Sequence, residues 1–263
     1  MKKLLIVVTV MALVCAAGSV QAKDWKKVRI GVEGAYPPFS YTTADGKLEG
    51  FDIDIAKALC NAMGVEYKLV PQDWDGIIPA LLARKYDAII ASMSITEERK
   101  KKVAFTNKYY NTPAKFVCKK GAMREFTREQ VAEVTAGKQI GVQRATIHDS
   151  FISDNGGEGA VIKRYATQDE AYMDLVAGRV AILLADSVAI DGGVLKKPEG
   201  QDYQFIGPDL TDKKWFGEGS GIAIRKKDKD LVEMFNKAIV QIRSDGTYKK
   251  IQDKYFDFDV YGE

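Results

Sequence analysis

One arginine sits where a helix gains nothing from it. Ser92-Met93-Ser94-Ile95-Thr96 leads into Glu97-Glu98-Arg99, and Thr96 has the side chain of a helix N-cap. The free amides of a helix start favour negative charge. A guanidinium in that first turn makes sense if it meets a carboxylate in two-pronged fashion. The plain alternative is a surface arginine paired with Glu97 or Glu98. Asp186 ends the apolar run AILLA, so it falls near a cleft floor, where it is placed to hold an ammonium group; an N-cap for the next helix is an equally simple reading. Glu33 ends the run VRIGVEG closely and precedes Tyr36-Pro37-Pro38-Phe39, and Trp74 follows Pro71-Gln72-Asp73. Strand-end acids are commonly solvated and loop aromatics commonly pack on a core. Taken together, the groups suit a zwitterion. Arg99 and helix amides would take a carboxylate and Asp186 an ammonium. Glu33, Tyr36 and Trp74 would receive a side chain, and aromatic faces beside a carboxylate favour a planar cation.

These residues need strands and helices to bring them together. Strands are expected at 28–34, 65–71, 87–92, 138–143, 160–166, 180–186 and 221–226, alternating with helices at 52–64 and 74–84, a short one after Thr96, one from near Thr146, and one from the capping box Thr167-Gln168-Asp169-Glu170 to Gly178. Leu231, Met234, Phe235, Ala238, Ile239 and Ile242 mark one face of a further helix, with Gly246 at its C-terminal stop. Such alternation defines an α/β fold. In open α/β sheets, ligands bind beyond the carboxyl ends of strands, where Glu33, Asp186 and the Ser92–Ser94 segment lie.

The first residues read as a secretory signal. Lys2 and Lys3 precede the apolar run LLIVVTVMALV, and Val20-Gln21-Ala22 offers a cleavage site after Ala22. A retained anchor and a lipoprotein on Cys15 are the competing readings; the run is short for a span and Val14 is bulky before a lipidated cysteine. Removing 22 of 263 residues leaves 241, enough for two domains, and the net charge falls from +3 to +1. A near-neutral chain has no footprint for nucleic acid, and 46% hydrophobic residues suit a globular fold. Cys60 and Cys118 remain after cleavage, free to pair in an oxidising space or to stay reduced. No nucleophile–base set, metal-ligand spacing or phosphate loop is present, and no cofactor is expected.

The stretches GVEGAYPPFSY, GFDIDIAKAL, WDGIIPALLARKYDAIIASMSITEERKKKVAFTNKYY and SDGTYKKIQDKYFDFDVYG resemble the polar amino acid-binding proteins of ABC importers (solute-binding protein family 3), within it the lysine/arginine/ornithine- and histidine-binding group. The resemblance spans essentially the whole mature chain. It implies a two-lobed periplasmic binding protein fold of type II with two hinge strands, with residues 23–111 and 212–263 in one lobe and 112–211 in the other. It implies a periplasmic monomer that captures a free cationic amino acid, arginine before lysine, ornithine or histidine, and delivers it to permease subunits. Carried over by position, Arg99 and the amides of Thr146 and Ile147 take the α-carboxylate. The carbonyl of Ser92, the hydroxyl of Ser94 and Asp186 take the α-ammonium, and Glu33, Tyr36 and Trp74 surround the side chain. Ala91 stands where the family commonly has a serine, with its carbonyl still able to accept. Glu33 replaces a common aspartate, and His148 falls in a departing segment, GVQRATIHD, where the plain expectation is an exposed ring and the alternative a ligand contact that tunes specificity or pH response. Tyr67 stands where the nearest relatives carry the cysteine that pairs with Cys60's position. Two rivals remain: a dehydratase of prephenate-like acids on the same fold, and a sensory ligand module.

Overall fold

The computed structural model describes residues 24–262. The expected signal segment, its cleavage after Ala22, and Cys15 lie outside them. β1 (Lys27–Val32) is followed by β2 (Ala35–Tyr36), β3 (Ser40–Thr42) and β4 (Leu48–Glu49). These form a small antiparallel sheet where the sequence suggested a loop. α1 (Phe51–Met63) buries Ile55, Leu59 and Cys60 and ends at Gly64, whose φ of 67° is the left-handed C-cap that glycine supplies. β5 (Glu66–Pro71) comes next. The single helix expected over 74–84 is a 3-10 turn, Trp74–Gly76, followed by α2 (Ile77–Leu82). Pro79 lies in the first turn of α2, where its missing N–H has no helical acceptor to leave unsatisfied.

β6 (Ala88–Ile89) is shorter than the expected 87–92, and the chain turns out of the sheet through Ser92, at a φ of 52°. α3 (Glu97–Lys100) is capped by Thr96. β7 (Ala104–Tyr110) then leads to β8 (Ala114–Lys119). α4 (Val131–Thr135), β9 (Gln139–Gln143), α5 (Ile147–Asn155) and β10 (Val161–Tyr165) follow. Next come α6 (Gln168–Val176), opened by the expected capping box, β11 (Ile182–Asp186), α7 (Ser187–Ile190) and β12 (Tyr203–Leu210). α8 (Lys213–Phe216), β13 (Ser220–Ile224), α9 (Lys229–Ser244) and α10 (Thr247–Tyr255) complete the chain.

The strands make two five-stranded sheets, one per lobe, ordered β5-β1-β6-β13-β7 and β10-β9-β11-β8-β12. β13 enters the first sheet antiparallel to both β6 and β7. The chain passes from the first sheet to the second between Tyr110 and Ala114 and returns between Leu210 and Ser220. Side chains alternate across each sheet: Ile222 and Ile224 face one core cluster and Ala223 the other. α9 seals the first cluster with Leu231, Phe235, Ala238, Ile239 and Ile242. A Cβ on Gly31 would come within 2.5 Å of the Tyr86 ring. That ring lies against β1 and donates from its hydroxyl to the Ile77 carbonyl at 2.5 Å, which fixes α2, and with it Trp74, against the sheet. Asp87 accepts from Arg29 and Arg225, tying β1 to β13 across β6. Cys60 and Cys118 are free thiols buried in the cores of different lobes.

Candidate functional site

The two sheets flank a cavity of about 380 Å³. Glu33, Tyr36, Trp74, Ala91, Ser92, Ser94 and Arg99 line it from the first lobe, and Thr146, Ile147 and Asp186 from the second. Every candidate residue from the sequence therefore lines this one cavity, including Ala91, itself almost fully buried. Lys108, Asn111, Thr112, Gln143 and His148 join them.

Arg99 is held by its own helix start. Thr96 Oγ1 accepts from the Arg99 amide at 3.3 Å, and Arg99 Nη1 donates to the Ser94 carbonyl at 3.0 Å. Its guanidinium carbon lies 5.2 Å from the Trp74 ring centre, within reach of cation–π attraction. The pairing with Glu97 or Glu98 does not form: those acids hold Lys100 and Lys101 instead. Among the described residues no carboxylate forms an ion pair with Arg99. Burial pushes the guanidinium down to about 10, so it stays charged at neutral pH. An enclosed cation without a counter-charge is costly, which makes this corner a receptor for an anion. On the opposite wall, Thr146 caps α5, accepting from the Asp149 amide at 3.2 Å. No protein acceptor among the described residues takes the amides of Thr146 and Ile147, the arrangement that favours an anion at a helix start.

Asp186 is the N-cap of α7 and also lines the cavity. Its Oδ1 caps α7, accepting from the amides of Val188 at 2.9 Å and Ala189 at 3.2 Å. Its Oδ2 accepts from the Thr112 hydroxyl, and the residue still faces the cavity. Burial pushes its carboxyl up to about 6 against those bonds. A positive group beside it would relieve that cost.

Ser92 owes its left-handed backbone to a buried network that the sequence reading missed. Its hydroxyl donates to Asp52 Oδ2 at 3.0 Å, and its amide donates to the Tyr109 hydroxyl at 3.1 Å. Tyr109 in turn donates to Asp52 Oδ1 at 2.9 Å. Asp52 is fully buried, and burial pushes its carboxyl up to about 7. The signal was present: Asp52, Ile55, Ala56 and Leu59 share one face of α1, and a carboxylate on an apolar face needs partners.

Glu33 faces across the cleft. Gln143 Nε2 donates to its Oε1 at 2.5 Å, and burial pushes the Glu33 carboxyl up to about 7. Tyr36 is buried beside it. Trp74 Nε1 donates to the Ala145 carbonyl at 3.1 Å, and Arg144 Nε pairs with Asp75 at 2.6 Å; both contacts bridge the lobes. His148 corrects the expectation of an exposed ring. It is only 7% exposed and packs 6.2 Å from the Phe216 ring, centre to centre. Burial, and then Arg99, push its imidazole down to about 3, so it is neutral at physiological pH and cannot serve as a switch there.

Two lobes joined by crossing segments, with a polar cavity between them lined by a guanidinium that pairs with no carboxylate among the described residues and by the half-buried carboxyls of Glu33 and Asp186, define a solute-binding protein. The chain belongs to the bacterial extracellular solute-binding proteins, family 3, whose family pattern matches residues 28–258. It is 54% identical to the L-arginine-binding protein of Pseudomonas aeruginosa over 238 residues, 90% of each chain. It is 39% identical to the lysine/arginine/ornithine-binding periplasmic protein of Escherichia coli K12, over the whole of both chains. The solved structure of an ancestral arginine-binding protein bound to arginine superposes with a TM-score of 0.78 at 36% identity, covering 88% of this chain and 98% of that one.

Proposed function

We propose that this protein captures a free cationic L-amino acid, arginine before lysine, ornithine and histidine, in the periplasm and presents it to the permease of an ABC importer. The observation that carries the reading is Arg99, a half-buried arginine that lines the cavity with no acidic partner among the described residues, across from the α5 amides of the other lobe that no described protein acceptor takes. In this reading Arg99, Thr146 and Ile147 hold the α-carboxylate. Asp186, the Ser92 carbonyl and the Ser94 hydroxyl hold the α-ammonium. Glu33 receives the cationic end between Tyr36 and Trp74, with Ala91 closing the wall. The lobes, residues 23–111 with 212–263 and residues 112–211, close on the ligand as a monomer, because contacts to both favour the closed state. The leader is removed after Ala22.

A thermal-shift screen of the mature, ligand-stripped protein against the twenty amino acids plus ornithine and citrulline tests this. Saturating ligand stabilises the fold by a few kcal/mol, on the order of 2.7 at a hundred times Kd. Arginine is expected to lead. A shift led by acidic or neutral amino acids overturns the side-chain assignment, and no shift with any of them overturns the reading.

The buried carboxyls also set a pH dependence. Glu33 and Asp186 bind their protons more tightly in the folded chain than free side chains do, so their contribution to stability falls as pH rises from the ordinary carboxylate range to about 6 to 7, and levels off above it. A bound cation reverses that preference and expels the protons. Arginine affinity is therefore expected to rise with pH from about 5 and level off above about 7. Glutamine, which meets Asp186 but brings no charge to Glu33, is expected to show a shallower rise. Calorimetric titrations across that range decide it, and an arginine affinity flat with pH would discard the cation at Glu33.

A further inference from the structure

Gln143, the last residue of β9, is only 2% exposed yet lines the cavity. Its amide nitrogen donates twice, to Glu33 Oε1 at 2.5 Å across the cleft and to the Ala166 carbonyl at 3.2 Å within its own lobe. Both N–H groups are thus engaged. A flipped amide would set its oxygen against the Ala166 carbonyl, which can only accept, so the orientation is dictated by that partner. What remains is the carbonyl oxygen, Oε1, which no hydrogen bond among the described residues uses. The same holds for Glu33 Oε2. The two unclaimed oxygens belong to one bonded pair, one from each lobe.

We propose that Gln143 is a specificity-determining residue, its pinned amide turning Oε1 toward the ligand so that, with Glu33 Oε2, it forms a two-acceptor fork matched to a guanidinium. A guanidinium carries five N–H donors in a rigid plane and no acceptor, so it satisfies two acceptors held in fixed directions without reorganisation. An ammonium is a compact point charge on a flexible stem and gains little from the second acceptor. A side-chain carboxylate would meet two acceptors with none of its own donors and is rejected. A side-chain amide satisfies the fork but brings no charge to Glu33. Because Ala166 tethers Gln143 within the second lobe and Glu33 belongs to the first, the fork exists only when the lobes are together. Reading of the side chain is thereby tied to closure, and the inference rests on the cavity being the amino-acid site.

The test is calorimetry with L-arginine, L-lysine and L-glutamine on the mature protein and on Gln143→Met, which keeps length and bulk but removes both the donor and the acceptor. Arginine is expected to weaken by about 10- to 100-fold, the range for a lost hydrogen bond to a charged group, and lysine by several-fold less. The ratio of arginine to lysine affinity is insensitive to any unfolded fraction, which the binding stoichiometry reports separately. Gln143→Glu keeps an acceptor oxygen but has no N–H to hold Glu33, and it is expected to lose the same discrimination. Equal weakening of arginine and lysine in Gln143→Met, or an arginine loss under about threefold, overturns the specificity role while leaving the amino-acid site standing. If the unmodified protein binds none of the three, the functional reading falls and this inference falls with it.

Discussion

Arg99→Ala is expected to weaken every amino acid the protein binds, by about 2–5 kcal/mol, on the order of 30-fold to several thousand-fold. The magnitude follows from what is lost. A ligand carboxylate desolvated in the cavity would keep the amides of Thr146 and Ile147 but lose its guanidinium partner. The loss is expected to be uniform across side chains, because every amino acid carries the same carboxylate. The unliganded fold is expected to hold its melting temperature or gain slightly, since the substitution removes a cation that bonds the Ser94 carbonyl and packs on the Trp74 face but pairs with no carboxylate among the described residues. Calorimetry beside an unliganded melt separates the two effects. A loss below about fivefold would show that the carboxylate sits elsewhere.

Glu33→Gln is expected to act selectively instead. Arginine should lose about 2–5 kcal/mol, because the substitution leaves a buried guanidinium facing a neutral amide. Glutamine should change by no more than a few-fold, since in the proposed pose its α-groups rest on Arg99 and Asp186 and it brings no charge to Glu33. The part of the pH dependence due to Glu33 should vanish with it, leaving that due to Asp186. Side-by-side titrations of the two ligands measure this as a ratio. Equal losses for arginine and glutamine would show that Glu33 does not read charge.

Local chemistry was the most legible part of the chain. The caps at Thr96 and Thr167 depend on a side-chain oxygen and an amide three residues apart, so three letters suffice to see them. The convergence of Glu33, the Ser92–Ser94 turn, Thr146 and Asp186 on one cavity was legible for a different reason. Each lies at or just beyond the carboxyl end of a strand, and α/β sheets gather such ends. Pairings between distant segments were not legible. The β2–β4 sheet is made of two- and three-residue strands, too short to carry a periodic pattern. His148 looked like a surface residue because Phe216, which covers it, comes from a segment that only the fold brings near. Gln143 was visible in the segment GVQRATIHD, but its partner Glu33 lies in the other lobe. Nothing local in either stretch announces the pairing.

The position of β13 carries a consequence for how the chain acquires its shape. The strands of the second sheet run consecutively from Ala114 to Leu210, so that lobe can assemble as soon as its own residues exist. The first sheet cannot. Its β6 and β7 neighbour each other only through β13, which arrives more than a hundred residues after them in the chain. Until then two strand edges stand open and Asp87 lacks Arg225. Closing so long a loop is entropically expensive before any contact repays it, which slows folding. The lobe that the chain begins first is the one it finishes last.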